Sequence, residues 1–245
     1  LNPVNSEKFS SAALIRGIAS DISKSGFKIG GFNAVTNSSV PVGAGLSSSA
    51  AFEILIGNIF NAFYAGSKLT AVDIAQIGQN AENNYFGKPC GLMDQLASSL
   101  GGITMMNFAQ NNVDTKNICF DFDNAGYDIA VVKSEASHEN LTNEYASIPA
   151  EMFSVAHFFG KNFLAEVSED LFFSEFYNLR REVGDRAVLR AVHFFEETER
   201  AEREYNLLAE NKIELFMREV VNSGKSSYMY LQNIDVNNGF LNQPL

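Results

Sequence analysis

The residues best suited to chemistry form one cluster of glycines and serines between Pro41 and Ala50, which reads Pro-Val-Gly-Ala-Gly-Leu-Ser-Ser-Ser-Ala. Because Gly43 and Gly45 have no Cβ, the backbone around them can turn successive N–H groups toward one point. The apolar helix predicted to follow has unpaired N–H groups and the positive end of its dipole at the same point. The serine hydroxyls add hydrogen-bond donors and a hard oxygen ligand for Mg²⁺. The cluster therefore predicts a site for a polyphosphate anion, with a flexible loop and helix cap as the alternative.

Three common motifs do not fit this cluster. A Walker loop needs Gly-Lys-Ser/Thr, which does not follow here, and a G-x-G-x-x-G fingerprint fails because Ser48 stands where the third glycine belongs. A G-x-S-x-G nucleophile elbow fails because Ser47 is followed by two further serines. A phosphate site of a different type is therefore expected.

Two carboxylates follow the cluster and could serve phosphoryl transfer. Glu82 lies near the end of a predicted helix, and Asp94 follows twelve positions later in the segment Cys-Gly-Leu-Met-Asp-Gln. Transfer from ATP needs one carboxylate to help hold the metal, and often another to take or orient the proton of the acceptor hydroxyl. Taken alone, the pair is open to a structural explanation, in which Glu82 lies on a solvated helix face and Asp94 caps a helix that begins at Gln95.

The elements that must position these residues are read from the apolar spacing. It predicts helices over 9–24, 50–64 and 71–85, the last opened by Thr70 as N-cap with Asp73 three residues later. Alternation of apolar residues predicts a strand over 27–36, and short apolar stretches bounded by Gly, Asn and Asp predict strands over 101–107 and 127–132. From about Met152 onward the pattern is helical and rich in Phe, Glu and Arg, so we expect two domains, 1–135 and 136–245, with the boundary near 133–140.

Composition excludes several classes of protein. The 245 residues carry 18 Lys and Arg against 29 Asp and Glu, with no basic run, so we expect no nucleic-acid partner. No apolar stretch has the ~18 residues of a membrane span, so no membrane partner is expected. Cys90 and Cys119 have no C-x-x-C spacing, which favours a reducing cytoplasm. The three histidines, His138, His157 and His193, lack metal-ligand spacing and are expected to be structural.

Taken together, these residues resemble the GHMP kinase superfamily and, within it, the galactokinases. The phosphate loop of the superfamily, P-x-x-x-G-L-x-S-S-A, is matched from Pro41 to Ala50 without exception. The segment C-G-L-M-D-Q over 90–95 looks like the galactokinase segment C-G-I/L-M-D-Q, and its distance from Ala-Glu-Asn around Glu82 agrees with that family. Ser-Gly-Lys-Ser-Ser over 223–227 is similar to the S-G-x-S-S loop of the family's second domain.

The resemblance implies an α+β protein with the two-domain GHMP kinase fold, present in part. Its amino-terminal part would be ribosomal protein S5 domain 2-like and would bind ATP, and its helix-rich carboxy-terminal part would be ferredoxin-like. The implied activity is an ATP-dependent sugar kinase that phosphorylates the anomeric C1 hydroxyl of galactose or a close relative. ATP and Mg²⁺ are the expected cofactors, and a sugar and ATP the expected small-molecule partners.

The resemblance also assigns roles to the matching positions. Asp94 would contact the sugar and act as catalytic base, or as orienting carboxylate, for the C1 hydroxyl. Ser49 and Glu82 would hold Mg²⁺, and Gly91 would lie at the sugar. The ATP phosphates would be wrapped by Gly43, Ala44, Gly45, Leu46, Ser47, Ser48 and Ser49.

A sugar-contacting tyrosine of the galactokinases has two candidate counterparts. The segment around Tyr177 matches the family letters S-E-Y-N-x-R-R-E-Q-C better, whereas Tyr145 matches the position along the chain better. We assign the role to Tyr145, although Ile148 and Pro149 then replace the paired arginines of the family. Tyr177 is expected on a helix surface or in the core.

Two hallmarks of galactokinases have no counterpart in the chain. One is the amino-terminal R-V-N-L-I-G-E-H-T-D-Y signature, which supplies an Arg near the transferred phosphate and sugar-binding side chains, and the other is the carboxy-terminal glycine-rich motif. We expect the chain to be a central segment of such a kinase. The alternative is a catalytically silent, sugar- and ATP-binding regulatory relative. A monomer or weak homodimer is expected in either case.

Overall fold

The computed structural model describes residues 1–41, 45–109, 113–131 and 142–233, and of residues 142–145 it describes the backbone alone. The chain divides into two compact units, Leu1–Thr104 and Met105–Leu245. The boundary expected near 133–140 lies outside the described residues, and the division into 1–135 and 136–245 stays a prediction.

The first unit is a group of packed helices. After a 3₁₀ turn, Asn5–Glu7, it contains α1 (Ser11–Lys24), α2 (Ser48–Tyr64), α3 (Ala71–Ala81), a π-helical turn (Glu82–Phe86) and α4 (Met93–Leu100). Helix α3 packs against α1, α2 and α4. The three helices predicted for this region are confirmed, the third as α3 continued by the π-helical turn.

Local chemistry explains where α3 begins and where the π-helical turn ends. The Thr70 hydroxyl accepts a hydrogen bond from the Asp73 amide at 3.2 Å, and the Asp73 carboxylate accepts one from the Thr70 amide at 2.8 Å. This reciprocal capping box satisfies two amides that have no acceptor within the helix. After Phe86 the chain leaves the turn through Gly87, whose φ of 92° disfavours any other residue.

The core of the first unit lies between α1, α2 and the end of α3. Its buried members are Leu14, Ile18, Ala19, Ile22, Ile56, Phe60 and Ala81. A close approach of two backbones occurs at Gly17 in α1, where a Cβ atom would lie 2.8 Å from the Cα atom of Ala81. Because Ala81 directly precedes Glu82, this contact fixes the backbone that carries one of the predicted site residues.

The strand predicted over 27–36 is wrong. Among the described residues these positions have no regular structure and no strand pairs with them. Phe27, Ile29 and Phe32 instead pack onto the core of the first unit, with the Phe32 and Phe60 rings 5.2 Å apart. The apolar alternation therefore reflects packing of an extended segment on helices, which produces the same pattern as a strand.

The second unit is mainly helical. The strand β1 (Ile103–Asn107) begins two residues before Met105, where this unit starts, and it forms a two-stranded sheet with β2 (Asp114–Ile118). The helices are α5 (Thr142–Phe158), α6 (Glu169–Ser174), α7 (Phe176–Val183), α8 (Asp185–Ala209) and α9 (Ile213–Ser226), with a 3₁₀ turn at Leu164–Glu166 and a π-helical turn at Ser227–Leu231. The strand predicted over 101–107 is confirmed. That over 127–132 is wrong for residues 127–131, which form no strand, and Val132 lies outside the described residues.

The Ser-Gly-Lys-Ser-Ser stretch over 223–227 was expected to be a loop and is helical instead. Its first four residues end α9, and Ser227 opens the π-helical turn. The hydroxyls of Ser223 and Ser226 donate to Glu197 at 2.6 Å and to Glu196 at 3.2 Å, both on α8. These bonds tie the helix end to its neighbour.

The core of the second unit surrounds the first half of α8. Its buried residues are Val155, Ala156, Leu164, Val167, Phe172, Leu179, Ala187, Val188, Ala191 and Phe195. Arg190 is buried beside this core, where its guanidinium donates to Glu151 at 2.9 Å, Ser147 at 3.0 Å and the Leu231 carbonyl at 3.1 Å. In the part of the chain that the structure describes, no helix is both long and apolar enough to cross a membrane.

Candidate functional site

The serine cluster leads directly into the first turn of α2. Gly43 and Ala44 lie outside the described residues, so their predicted role is untested. Gly45 has a φ of 72°, and Ser47, the N-cap of α2, has a φ of 55° and a ψ of 45°. A serine in the left-handed region is uncommon and marks a tightly constrained turn. The Ser47 side chain makes no capping hydrogen bond, so the first N–H groups of α2 need an acceptor from outside the helix, such as a ligand or water.

Ser48 and Ser49 form the first turn of α2, and Ser49 contacts the first of the two predicted acids. The Ser49 hydroxyl donates to Oε1 of Glu82 at 3.2 Å, across 33 positions of sequence. Glu82 is 3% exposed, so the explanation that it lies on a solvated helix face is wrong. The largely exposed ammonium of Lys88 lies 3.9 Å from the same oxygen. The structure thus brings together the two residues that the resemblance assigned to a metal.

The chemistry of this pair fits Mg²⁺. A serine hydroxyl and a carboxylate are hard oxygen ligands, and Mg²⁺ is usually held by one or two protein groups together with phosphates and water. Among the described residues there is no group of three or more His, Cys, Asp or Glu side chains that could hold a metal ion. A cation at Ser49 and Glu82 would therefore take its remaining ligands from a nucleotide and from water.

A buried polar pair lies behind Glu82. The Gln95 carboxamide donates to Oε2 of Glu82 and to Oε2 of Glu53, each at 3.0 Å. Glu53 and Gln95 are both 0% exposed, and Oε1 of each has no hydrogen-bond partner among the described residues. Burial raises the pKa of Glu53 to about 7, partly opposed by the hydrogen bond from Gln95 and reinforced by the charge of Glu82.

Sequence reasoning gave no role to Glu53 or Gln95. The signal for Glu53 was a single carboxylate inside the apolar run over 50–64, which places it on a helix with no polar face. Gln95 was part of the quoted C-G-L-M-D-Q segment.

Cys90 belongs to the same segment as Gln95. Its sulfur lies 3.6 Å from the Gln95 amide nitrogen, and burial raises the pKa of its thiol to about 12. Cys90 is therefore a thiol and not a reactive thiolate.

Asp94 lies in the first turn of α4, next to the buried Gln95. The helix begins at Met93, and Leu92 is its N-cap without a side-chain bond, so the explanation that Asp94 caps a helix starting at Gln95 is wrong. The Asp94 side chain is exposed and makes no hydrogen bond within the described residues. Gly91 just before the helix is also exposed, and a Cβ there would meet nothing within 4 Å. Asp94 is thus an accessible carboxylate on α4, the helix that also carries Gln95, which donates a hydrogen bond to Glu82.

The two candidate tyrosines both lie in the second unit. Tyr145 lies in α5, but its side chain is outside what the structure describes, so its assignment to the sugar stays a prediction. Tyr177 in α7 is 71% exposed and lies beside the Arg181 guanidinium, 5.8 Å from the ring centre, as expected for a surface aromatic. His193 is held by Ser226 at 2.9 Å, and burial lowers its pKa, which agrees with a structural role.

Comparison with known proteins gives one family. Residues 13–102 match the family described as GHMP kinases N terminal domain. A galactokinase of Thermosipho africanus (strain TCF52B) is 32% identical over 228 residues, which cover 91% of this chain and 61% of that protein. A galactokinase of Clostridium tetani (strain Massachusetts / E88) is 31% identical over 207 residues, which cover 82% of this chain and 51% of that protein. The chain therefore spans between about half and three fifths of the length of these curated relatives.

The fold agrees with the sequence match. The crystal structure of Lactococcus lactis galactokinase complexed with galactose superimposes with a TM-score of 0.74 over 94% of this chain and 59% of that chain, at 21% identity. This likeness confirms the α+β GHMP kinase fold expected from the sequence. The family match, the relatives and the fold together support a galactokinase-like GHMP kinase.

Proposed function

We propose that this chain carries the phosphate loop and acceptor carboxylate of an ATP-dependent sugar kinase, and that the acceptor is the C1 hydroxyl of galactose or a closely related monosaccharide. The observation that carries the proposal is the 3.2 Å contact between Ser49, at the start of α2, and the buried Glu82. It joins an uncapped helix N-terminus, suited to phosphate, to a carboxylate suited to a divalent cation.

The chain's own residues would perform three tasks. The amides from Gly43 to Ser49 would bind the phosphates of ATP, aided by the positive end of the α2 dipole. Ser49 and Glu82 would hold Mg²⁺, which when bound neutralises charge that develops on the phosphates. Asp94 would accept or orient the proton of the sugar hydroxyl as its oxygen bonds to the γ-phosphorus and ADP departs. Positioning and electrostatic stabilisation would therefore supply most of the rate.

The choice of sugar rests on the relatives. The matched proteins are named galactokinases, and the solved structure is described as complexed with galactose. Gly91 and Tyr145 are proposed at the sugar with Asp94. We also propose a cytoplasmic protein that acts on small molecules as a monomer or weak homodimer.

A coupled assay of ADP release tests this proposal across galactose, N-acetylgalactosamine, glucose, arabinose and mevalonate. We expect turnover with galactose or one close relative. The Asp94→Asn variant should lower kcat by about 100-fold or more, the size typical of a lost acid–base group. Its Tm should stay unchanged, because the side chain is exposed and makes no hydrogen bond within the described residues.

Three results would count against the proposal. Preference for mevalonate would show that the acceptor is not a sugar, and a near-wild-type kcat for Asp94→Asn would remove its role. A rise of Tm with ATP but no turnover with any acceptor would favour the silent regulatory alternative, because ligand binding stabilises a protein whether or not it reacts.

A further inference from the structure

We propose that Gln95 and Glu53 are positioning residues, which hold the Glu82 carboxylate so that one of its oxygens is presented to Ser49 and to a divalent cation. The inference rests on the proposed function, since it concerns the same metal-binding carboxylate. It adds two residues that act on the cation only through Glu82.

The two oxygens of Glu82 are divided between different partners. Oε1 accepts from the Ser49 hydroxyl at 3.2 Å, and Oε2 accepts from the Gln95 amide at 3.0 Å. A carboxylate held at only one oxygen can still rotate about its last bond, whereas one held at both has a fixed plane. Gln95 therefore occupies Oε2 and leaves Oε1 as the oxygen available to a cation beside Ser49.

The orientation of the Gln95 carboxamide is itself determined by Glu53. The NH₂ group has two hydrogens, and its two short contacts, with Glu82 and Glu53 at 3.0 Å each, use both, whereas the Cys90 sulfur at 3.6 Å is a longer and weaker acceptor. The flipped amide would place its oxygen against two carboxylate oxygens, which is unfavourable. The carboxamide oxygen meanwhile stays buried without a partner among the described residues, so the amide is arranged for its N–H groups and not for its oxygen.

Three helices meet at this pair, which makes the arrangement rigid. Glu53 lies on α2 one turn after Ser49, Gln95 lies on α4, and Glu82 follows the last residue of α3. Helix α3 has a glycine, Gly78, at the crossing point, where a Cβ would lie 3.2 Å from the Glu53 Cβ and 3.4 Å from the Gln95 Cγ. The backbone of α3 thus leaves room for both side chains beneath Glu82.

A purely structural role and a positioning role differ in what they predict for metal binding. The Gln95→Met variant keeps the length of the side chain but removes both N–H donors. Binding of Mn²⁺ in the presence of ATP can be measured by electron paramagnetic resonance. We expect the variant to bind Mn²⁺ about tenfold more weakly than the wild type, which is the usual effect of losing a group that orients a metal ligand. Binding of ATP without divalent cation should be unchanged, because the loop amides are untouched.

Two further variants complete the comparison. Glu53→Gln keeps an oxygen acceptor for the Gln95 amide and should retain most of the Mn²⁺ affinity, whereas Glu53→Leu removes the acceptor and should weaken it. Leu96→Val is the matched control, because Leu96 is buried next to Gln95 on the same helix and is not among the hydrogen-bonded groups at Glu82. It should lower Tm and leave Mn²⁺ affinity unchanged.

The outcomes separate this inference from the proposed function. A folded Gln95→Met variant with wild-type Mn²⁺ affinity overturns the positioning role alone. A wild-type chain that binds no Mn²⁺ with ATP overturns the proposed site and this inference with it. If Gln95→Met does not fold, Gln95→Asn gives the same test, since it keeps the carboxamide but withdraws it by one methylene, and unaltered Mn²⁺ affinity there also overturns the role.

Discussion

Replacing Glu53 by Gln should remove one pH dependence from the folding stability of the first unit. Burial raises the pKa of this carboxyl from its ordinary value of 4.5 to about 7 in the folded chain. Below pH 4.5 both the folded and the unfolded chain keep the proton, so Glu53 imposes no penalty. Between 4.5 and 7 the folded chain keeps a proton that the unfolded chain has lost, so the free energy of unfolding falls as the pH rises.

The size of this effect follows from the pKa. One pKa unit is equivalent to about 1.4 kcal/mol, so a rise from 4.5 to about 7 gives a loss of about 3 kcal/mol, complete above pH 7. Gln has the same shape as the protonated carboxyl and does not titrate. The difference in unfolding free energy between the variant and the wild type should therefore shift by about 3 kcal/mol in favour of the variant from acid to mildly alkaline pH.

Urea unfolding at a series of pH values from 4.5 to 8 measures this difference, with far-UV circular dichroism as the signal because the chain contains no Trp. Other groups whose pKa is shifted by burial, such as His193 and Glu204, are present in both proteins and cancel in the comparison. If the difference in unfolding free energy between variant and wild type stays constant across the series, Glu53 has its ordinary pKa of 4.5 in the folded chain, and the explanation from burial is refuted.

Three further substitutions test the packing of the two units by chemical unfolding. Gly17→Ala should lower stability by about 1–2 kcal/mol despite the better helix propensity of Ala, because its Cβ would lie 2.8 Å from the Ala81 Cα. Gly224→Ala in α9 is the control. Its Cβ would have no atom within 4 Å, so the better helix propensity of Ala should raise stability by about 0.5–1 kcal/mol. A stabilising Gly17→Ala would contradict the close approach of α1 and α3. Arg190→Met should lower stability by about 2–3 kcal/mol, because the buried guanidinium loses its bonds to Glu151, Ser147 and the Leu231 carbonyl while Arg186 still pairs with Glu151. A neutral result would contradict that account.

The sequence was informative where chemistry acts locally. The capping box at Thr70 and the helix beginning in the serine cluster were predictable, since both depend on neighbouring residues. The contact between Ser49 and Glu82 spans 33 positions, and it was expected only through the family resemblance. The segment 27–36 was misread because an extended chain packed on helices shows the same alternation as a strand.

The pair behind Glu82 could not be predicted for a different reason. The burial and the contacts of a lone Glu in an apolar helix depend on how α2, α3 and α4 cross. The apolar spacing within one helix does not determine that crossing. Similarly, the polar strand Asp114–Ile118 carries no apolar alternation and gives no signal of its own. Sequence patterns identify elements, whereas contacts between elements require the fold.

The π-helical turn Glu82–Phe86 makes the end of this helix tolerant of a one-residue deletion. It winds one more residue into a turn than an α-helix does, so deleting one residue would let the helix revert to ordinary periodicity. The residues that follow would then keep nearly the same direction around the helix axis, because the lost residue and the narrower turn compensate each other. A deletion inside α3 has no such compensation, and it would turn every later residue of the helix, Glu82 included, by about 100° around the axis. Length variation in this segment should therefore be accepted after Glu82 and not within α3.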